Sequence, residues 1–168
     1  MLVEVKTVDE GVVRRLTDIY AESMDALEKH FPSRERMLAE YAAFAADFAR
    51  QENQRILAED AGNGWVSALR AIEAQPGSWF LEAVETMPSQ RGKGHGKALV
   101  LDTLRYLEGL GAREVTCTID RGNAVSRAMH ESCGFVKTDL PPVNPWGETE
   151  DGCLLYRFRT GEIGRAHV

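Results

Sequence analysis

Leu2, Val3 and Val5 open the chain with a strand-like run, and Thr7-x-x-Glu10 follows as a capping box that starts a helix. Its apolar stripe, Val12, Val13, Leu16, Ile19, Tyr20 and Met24, recurs at close to helical spacing. Phe31-Pro32-Ser33 breaks the pattern, and Ser33 is placed to cap a second helix striped by Met37, Tyr41, Phe44 and Phe48. The rhythm then turns strand-like over Ile56–Glu59, Trp65–Ala74 and Trp79–Thr86, with turn signals at Ala61-Gly62-Asn63-Gly64 and Gln75-Pro76-Gly77. Lys97–Leu110 predicts an amphipathic helix, with Ala98, Leu101, Leu104 and Leu107 near one face and Gly109 and Gly111 at its end. Val115–Ile119 predicts a buried strand, Asn123 heads a short helical stretch from Ala124 to Ser132, and Phe135–Lys137 and Leu154–Phe158 are the last strands. Hairpins first and a strand-helix-strand unit after predict an α/β fold: a twisted mixed sheet of about seven strands with helices on both faces.

No repeat or linker divides the chain, so residues 1–161 are expected to form one domain. Residues 162–168, Glu-Ile-Gly-Arg-Ala-His-Val, are what one frame of a common sequencing adapter encodes before a stop codon. They are expected to be a non-native tail, which resequencing the source locus decides.

Composition narrows the function classes. Hydrophobic residues are 43% and charged residues 27% of 168, the balance of a globular domain with a sizeable core. No run approaches the roughly twenty apolar residues of a membrane span, and Met1-Leu2-Val3 meets Glu4 and Lys6 too soon for a secretory leader. The net charge of −6 argues against a nucleic-acid partner, whose footprint is basic, and favours a cationic or amine ligand. Cys117, Cys133 and Cys153 are an odd set with no close pair. Reduced thiols in a cytoplasmic protein are expected, rather than a disulfide or a metal site.

The stretch Gln90-Arg91-Gly92-Lys93-Gly94-His95-Gly96-Lys97, between a strand and a helix, is an anion cradle. Glycines let the backbone turn tightly against a ligand, and amides opening the next helix favour negative charge. Counting excludes two phosphate loops. A P-loop would need glycine at Lys97 and a hydroxyl where Ala98 stands, and Gly92-x-Gly94-x-Gly96 is one residue short of the dinucleotide fingerprint. Arg-Gly-x-Gly-x-Gly after a strand ending in Met87-Pro88 instead resembles the acetyl-coenzyme A pyrophosphate loop of the GNAT superfamily of N-acetyltransferases. GNAT proteins also carry an Asn-headed helix ending in Gly-Phe after the fifth strand, as Asn123 to Gly134-Phe135 does here. The resemblance spans Trp65 to Phe158, over half of the chain.

The resemblance implies acetyl-coenzyme A as co-substrate, with no metal. Backbone amides from Gly92 to Lys97, those of His95 and Gly96 included, would hold its pyrophosphate. Arg91, Lys93 and Lys97 would add positive charge, unless they are only a solvated face. The strand before the cradle, by position Val84, Glu85 and Thr86, would pair with the pantetheine arm beside a bulge, with the Val84 amide aimed at the thioester carbonyl. Asn123 matches the family's asparagine near the pantetheine, and it also suits a helix cap.

Glu82 is the first candidate base. In Phe80-Glu82-Val84-Thr86 it shares a strand face with apolar neighbours, where desolvation raises a carboxyl pKa. A salt-bridged or edge-exposed carboxylate is the alternative reading, and Glu85 takes over if a bulge turns it inward. The family's acid is a tyrosine two residues into a Leu-Tyr-x-x-x-Gly-Phe pattern; His130 stands there, as a proton donor to the leaving thiolate or as a polar residue lining the thiol channel. Acid residues of the first helix, Glu22 among them, and the proline-rich segment Asp139–Gly152 flank the acceptor in this family, with Trp146 as a platform.

The expected function is direct transfer of an acetyl group to a primary amine of a small molecule or peptide in a ternary complex. The alternatives are a non-catalytic acyl-coenzyme A sensor and an acyltransferase using a longer acyl group. A homodimer is compatible with the family.

Overall fold

The computed structural model describes residues 1–161, and the expected tail lies outside them. Strands β1 (Leu2–Glu4), β2 (Gln54–Asp60), β3 (Trp65–Gln75), β4 (Ser78–Thr86), β5 (Glu114–Asp120), β6 (Val136–Lys137) and β7 (Cys153–Arg159) form a seven-stranded sheet in the order β1-β2-β3-β4-β5-β7-β6. β1 and β2 pair antiparallel, β4 and β5 parallel, and β5 and β7 antiparallel, so the sheet is mixed, as expected. The helices are α1 (Glu10–Ile19), α2 (Ala21–Glu28), α3 (Arg34–Arg50), α4 (His95–Gly109) and α5 (Ala124–Ser132). The described residues divide into two compact units: Met1–Arg70 with Ala83–Leu99, and Ala71–Glu82 with residues 100–161.

In the first unit, α1 does not start from the expected capping box. Asp9 is the cap, its carboxylate accepting from the Val12 amide at 2.9 Å. Aspartate caps at least as well as threonine, and Glu10 becomes the first helical residue, where its charge suits the helix dipole. The stripe from Val12 to Met24 also proves to be two helices. Tyr20 leaves the helical conformation at φ −90° and ψ 26°, closing α1 with its amide on the Leu16 carbonyl, and α2 restarts at Ala21. Ser33 caps α3 as expected, accepting from the Arg36 amide at 3.1 Å. Leu16, Ile19, Met37 and Leu57 are fully buried.

The second unit is built on β5, whose buried positions alternate at Val115, Cys117 and Ile119. β7 lies antiparallel beside it, from Glu114 opposite Arg159 to Asp120 opposite Cys153, and supplies the buried Tyr156 and Phe158. Along α4 the buried set is Leu99, Val100, Leu104 and Leu107, not the predicted stripe with Ala98 and Leu101. Both Val100-Leu104-Leu107 and Leu99-Thr103-Leu107 have helical spacing, so burial is centred one step from the predicted face. The expected stiff segment 139–152 folds back on itself through a bridge between Val143 and Thr149.

Asp9→Ala should lower stability by about 1 kcal/mol, while Thr7→Ala should stay within about 0.5 kcal/mol. Urea denaturation of the two variants checks the assignment, and the reverse order would restore the capping box.

Candidate active site

An unbroken β4 would place Glu82, Val84 and Thr86 on one face. The strand follows β5 from Ser78 opposite Glu114 to Leu81 opposite Cys117, and two residues later Ala83 takes φ 53°. It is the one non-glycine residue with positive φ among the described residues. A left-handed alanine costs on the order of 1–3 kcal/mol and persists only where its surroundings over-determine it. Here the buried Tyr20, at the α1–α2 junction, donates its hydroxyl proton to the Ala83 carbonyl at 2.8 Å.

The start of α2 makes two further attachments to the same segment. The Ser23 hydroxyl donates to Glu85 Oε2 at 2.6 Å. Arg91 donates both terminal nitrogens to the Glu22 carboxylate at 2.9 and 3.0 Å, a bidentate pair. That hydrogen bonding and the guanidinium charge hold the Glu22 carboxyl below its ordinary range. Glu22, expected to face an acceptor, thus grips the cradle's arginine.

Beside these contacts lies a cleft of about 410 Å³, lined from α1–α3, β3 and β4. Ala83 and Glu85 form one side, Tyr20, Met24, Phe31, Met37 and Phe44 supply apolar surface, and Tyr41, Arg70 and Glu40 are polar. The Arg70 guanidinium sits 5.0 Å from the centre of the Phe44 ring, a cation–π contact. Burial pushes the Tyr41 hydroxyl up to about 12, against the opposing Arg70 charge, so it stays a neutral phenol at physiological pH. Val84 and Thr86 are half-buried on β4.

Beyond β4 a short 3-10 turn, Pro88–Gln90, leads into the glycine loop. Gly92 has φ 77° and Gly94 φ 83°, conformations that side chains rarely adopt, and a Cβ at either would meet open space. The Gly94 carbonyl accepts from the Ala98 amide at 3.0 Å and so opens α4. The amides of the helix's first turn, His95, Gly96 and Lys97, therefore have no intrahelical acceptor. Two left-handed glycines before a helix N-terminus make an anion-binding concavity, and the donor set fits a pyrophosphate. Lys93 bonds Gln90 Oε1 at 3.2 Å, and both Lys93 and Lys97 are exposed.

In the second unit, Asn123 caps α5, its Oδ1 accepting from the Ser126 amide at 3.1 Å. His130 is only 2% exposed and lies edge-on to Phe135 at 5.3 Å between centroids. Its Nδ1 is 2.8 Å from the Ser126 carbonyl, which can only accept, so Nδ1 carries the proton. Glu82 is half-buried in the middle of β4. Trp146 is 52% exposed in the turn where Asn144 Oδ1 accepts from the Trp146 and Glu148 amides. Among the described residues, no group of three or more His, Cys, Asp or Glu is placed to hold a metal ion, and no helix is long and apolar enough to cross a membrane.

Residues 14–135 match the Acetyltransferase (GNAT) family. The chain belongs to that family. It is 28% identical over 102 residues to a mycothiol acetyltransferase of Pseudarthrobacter chlorophenolicus, covering 58% of this chain and 31% of the relative. It is 32% identical over 60 residues to an aminoglycoside N(6')-acetyltransferase type 1 of Salmonella typhimurium, covering 36% of this chain and 41% of the relative. The chain thus spans less than half the length of these curated relatives. In fold it is similar to the PaiA N-acetyltransferase of Thermoplasma acidophilum in complex with coenzyme A, with TM-score 0.68 and 14% identity over 95% of this chain and 99% of that one.

Within the GNAT chain, Glu85, Ala83, Arg91 and the glycine loop come together in the first unit, along with Glu22. Glu82, Asn123, His130 and Trp146 belong to the second. Sequence reasoning missed Tyr20, Ser23 and Arg70 as cleft residues and read Tyr41 and Phe44 only as helix stripe. One signal was present: a tyrosine within an apolar helical stripe has a hydroxyl that must find an acceptor when buried.

His130 has a further consequence. Burial lowers its pKa, against the raising effect of its bond to Ser126. A histidine whose folded pKa lies below its unfolded value of about 6.5 leaves the unfolded chain binding more protons below that pH. Stability should therefore fall as pH drops from about 6.5 toward the lowered folded pKa. Urea midpoints between pH 7 and 5 check this, with His130→Phe expected to flatten the dependence.

Proposed function

We propose that this GNAT chain is an N-acetyltransferase that moves an acetyl group from acetyl-coenzyme A directly to a primary amine. The observation that carries the reading is the continuity of one segment: Ala83 and Glu85 line a cleft, and six residues further along the chain Arg91 opens the glycine cradle. Acetyl-coenzyme A, as co-substrate, supplies the activated acetyl carbonyl and a thiolate leaving group. The Gly92–Lys97 amides hold the pyrophosphate, and the Val84 amide, next to the left-handed Ala83, polarises the carbonyl oxygen.

The acceptor enters the cleft as an ammonium ion and must lose a proton before its nitrogen bonds the acetyl carbon. Glu85 is the proton acceptor this reading favours, because it lines the cleft and Ser23 fixes its orientation. Glu82, three residues earlier, is the second candidate. Asn123, matched by the resemblance to the family's asparagine, caps α5. His130 donates no proton in this scheme: buried and neutral, with its one proton on the Ser126 carbonyl, it offers only an acceptor at Nε2. The thiolate takes its proton from solvent.

Gly94→Glu should abolish acetyl-coenzyme A binding, because a side chain and a like charge would occupy the cradle. Calorimetric titration checks this, and unchanged affinity in the folded variant would overturn the cofactor assignment. Glu85→Gln should lower kcat by about 100-fold with coenzyme affinity unchanged, while Glu82→Gln stays within roughly tenfold of the parent. Rates of thiol release across pH decide between them, and the opposite ranking would move the base to Glu82.

A further inference from the structure

We infer that the acceptor is a primary monoamine carried on one apolar, ring-sized body, and not a polycation; this rests on the acetyltransferase reading above. The cleft of about 410 Å³ is at the small end of the range for small-molecule sites. Its apolar wall includes two side chains left partly exposed, Leu27 at 37% and Phe44 at 45%. Exposed large apolar groups that converge on a concavity are a binding surface rather than incidental.

The charges in the cleft discriminate among amines. Glu85 and Glu40 are its carboxylates, and Arg70 is a cation in the same lining. Glu40 is already paired with Arg36 at 3.3 Å. The Ser23 hydroxyl occupies one side of Glu85 Oε2, but a carboxylate accepts about four hydrogen bonds, so Glu85 can still receive one ammonium group. A second or third ammonium on the same ligand would lie against Met24, Phe31 and Met37 or approach Arg70. Burying an unpaired charge on apolar surface is costly, and like charges repel. The neutral Tyr41 phenol adds a hydrogen-bonding group without adding charge. One cation plus apolar bulk satisfies this lining, and a polyamine or an aminoglycoside does not.

The test uses the full chain with acetyl-coenzyme A and three amines: 2-phenylethylamine, spermidine and kanamycin. The expected result is a kcat/KM for 2-phenylethylamine at least about tenfold above both polycations. Leu27→Asp, which adds a carboxylate at the apolar wall, should lower the 2-phenylethylamine value by roughly tenfold and raise that for spermidine. A polycation used as well as or better than 2-phenylethylamine would overturn the substrate class while leaving the acetyltransferase reading intact. No turnover of any amine, with acetyl-coenzyme A bound, would count against the acetyltransferase reading instead. In that case calorimetry of the amines alone decides the class: tighter binding of 2-phenylethylamine than of spermidine supports it, and equal, weaker or undetectable binding overturns it.

Discussion

A single hydrogen bond, from the Tyr20 hydroxyl to the Ala83 carbonyl, organises the candidate site. It joins two departures from regular structure, the end of α1 at Tyr20 and the left-handed turn of β4 at Ala83. Neither departure is favourable alone. Tyr20 interrupts an apolar stripe that would otherwise continue as one helix, and Ala83 occupies a conformation that alanine avoids. Together each fixes the other, because the helix must stop for the ring to reach the strand, and the strand must turn for its carbonyl to meet the hydroxyl. Ser23 and Glu22, the next polar residues along α2, then fall on Glu85 and Arg91. Three residues of one helical junction, Tyr20, Glu22 and Ser23, thereby set the position of the left-handed turn at Ala83, a candidate base and the arginine that opens the glycine loop.

The pairing of Arg91 with Glu22 bears on how that loop would bind its anion. A bidentate carboxylate neutralises the guanidinium, so any attraction of the cradle for phosphate would come chiefly from oriented amides and the α4 dipole rather than from a free cation. Backbone amides next to two left-handed glycines hold their aim without side-chain entropy, whereas the charges of exposed lysines such as Lys93 and Lys97 are screened by salt. Glycine at these positions is thus a geometric requirement, and the surrounding positive charge is secondary to it.

The parts of the molecule that were legible in the sequence are those set by local rules. Strand order class, the Ser33 cap, the Asn123 cap and the glycine loop each follow from a short run of residues whose chemistry has one good solution. The misreadings share a cause as well. Thr7-x-x-Glu10 and Asp9 are both competent starts for α1, and local chemistry does not rank them. The stripe through Tyr20 and Met24 has helical spacing on both sides of a break that only a distant strand imposes. On α4, two interleaved rows satisfy the same period, and packing decides which is buried. The cleft was least legible because its lining is drawn from residues 20–44, 70 and 83–85, and no periodicity connects segments so far apart in the chain.

If His130 stands where the resemblance puts the family's tyrosine, as the proposed function has it, the place where proton chemistry must be handled shifts. A thiol has a reference pKa near 8.5 and an alkylammonium near 10.4, so at neutral pH the thiolate is a tolerable leaving group while the amine is mostly protonated. A chain that gives up a phenol near the leaving group therefore loses little, provided the amine is deprotonated efficiently. His130 fits that economy, since its proton is committed to the Ser126 carbonyl and its ring packs edge-on against Phe135 as part of the core. The demand falls on the acceptor side, on a carboxylate held in place beside apolar surface. Glu85, bonded to Ser23 and two residues beyond the left-handed Ala83 that Tyr20 holds, meets that description. On the proposed acetyltransferase reading, the strain at Ala83 would have a chemical purpose: it would turn the strand so that a carboxylate faces the cleft a few residues before the amides that would hold the coenzyme.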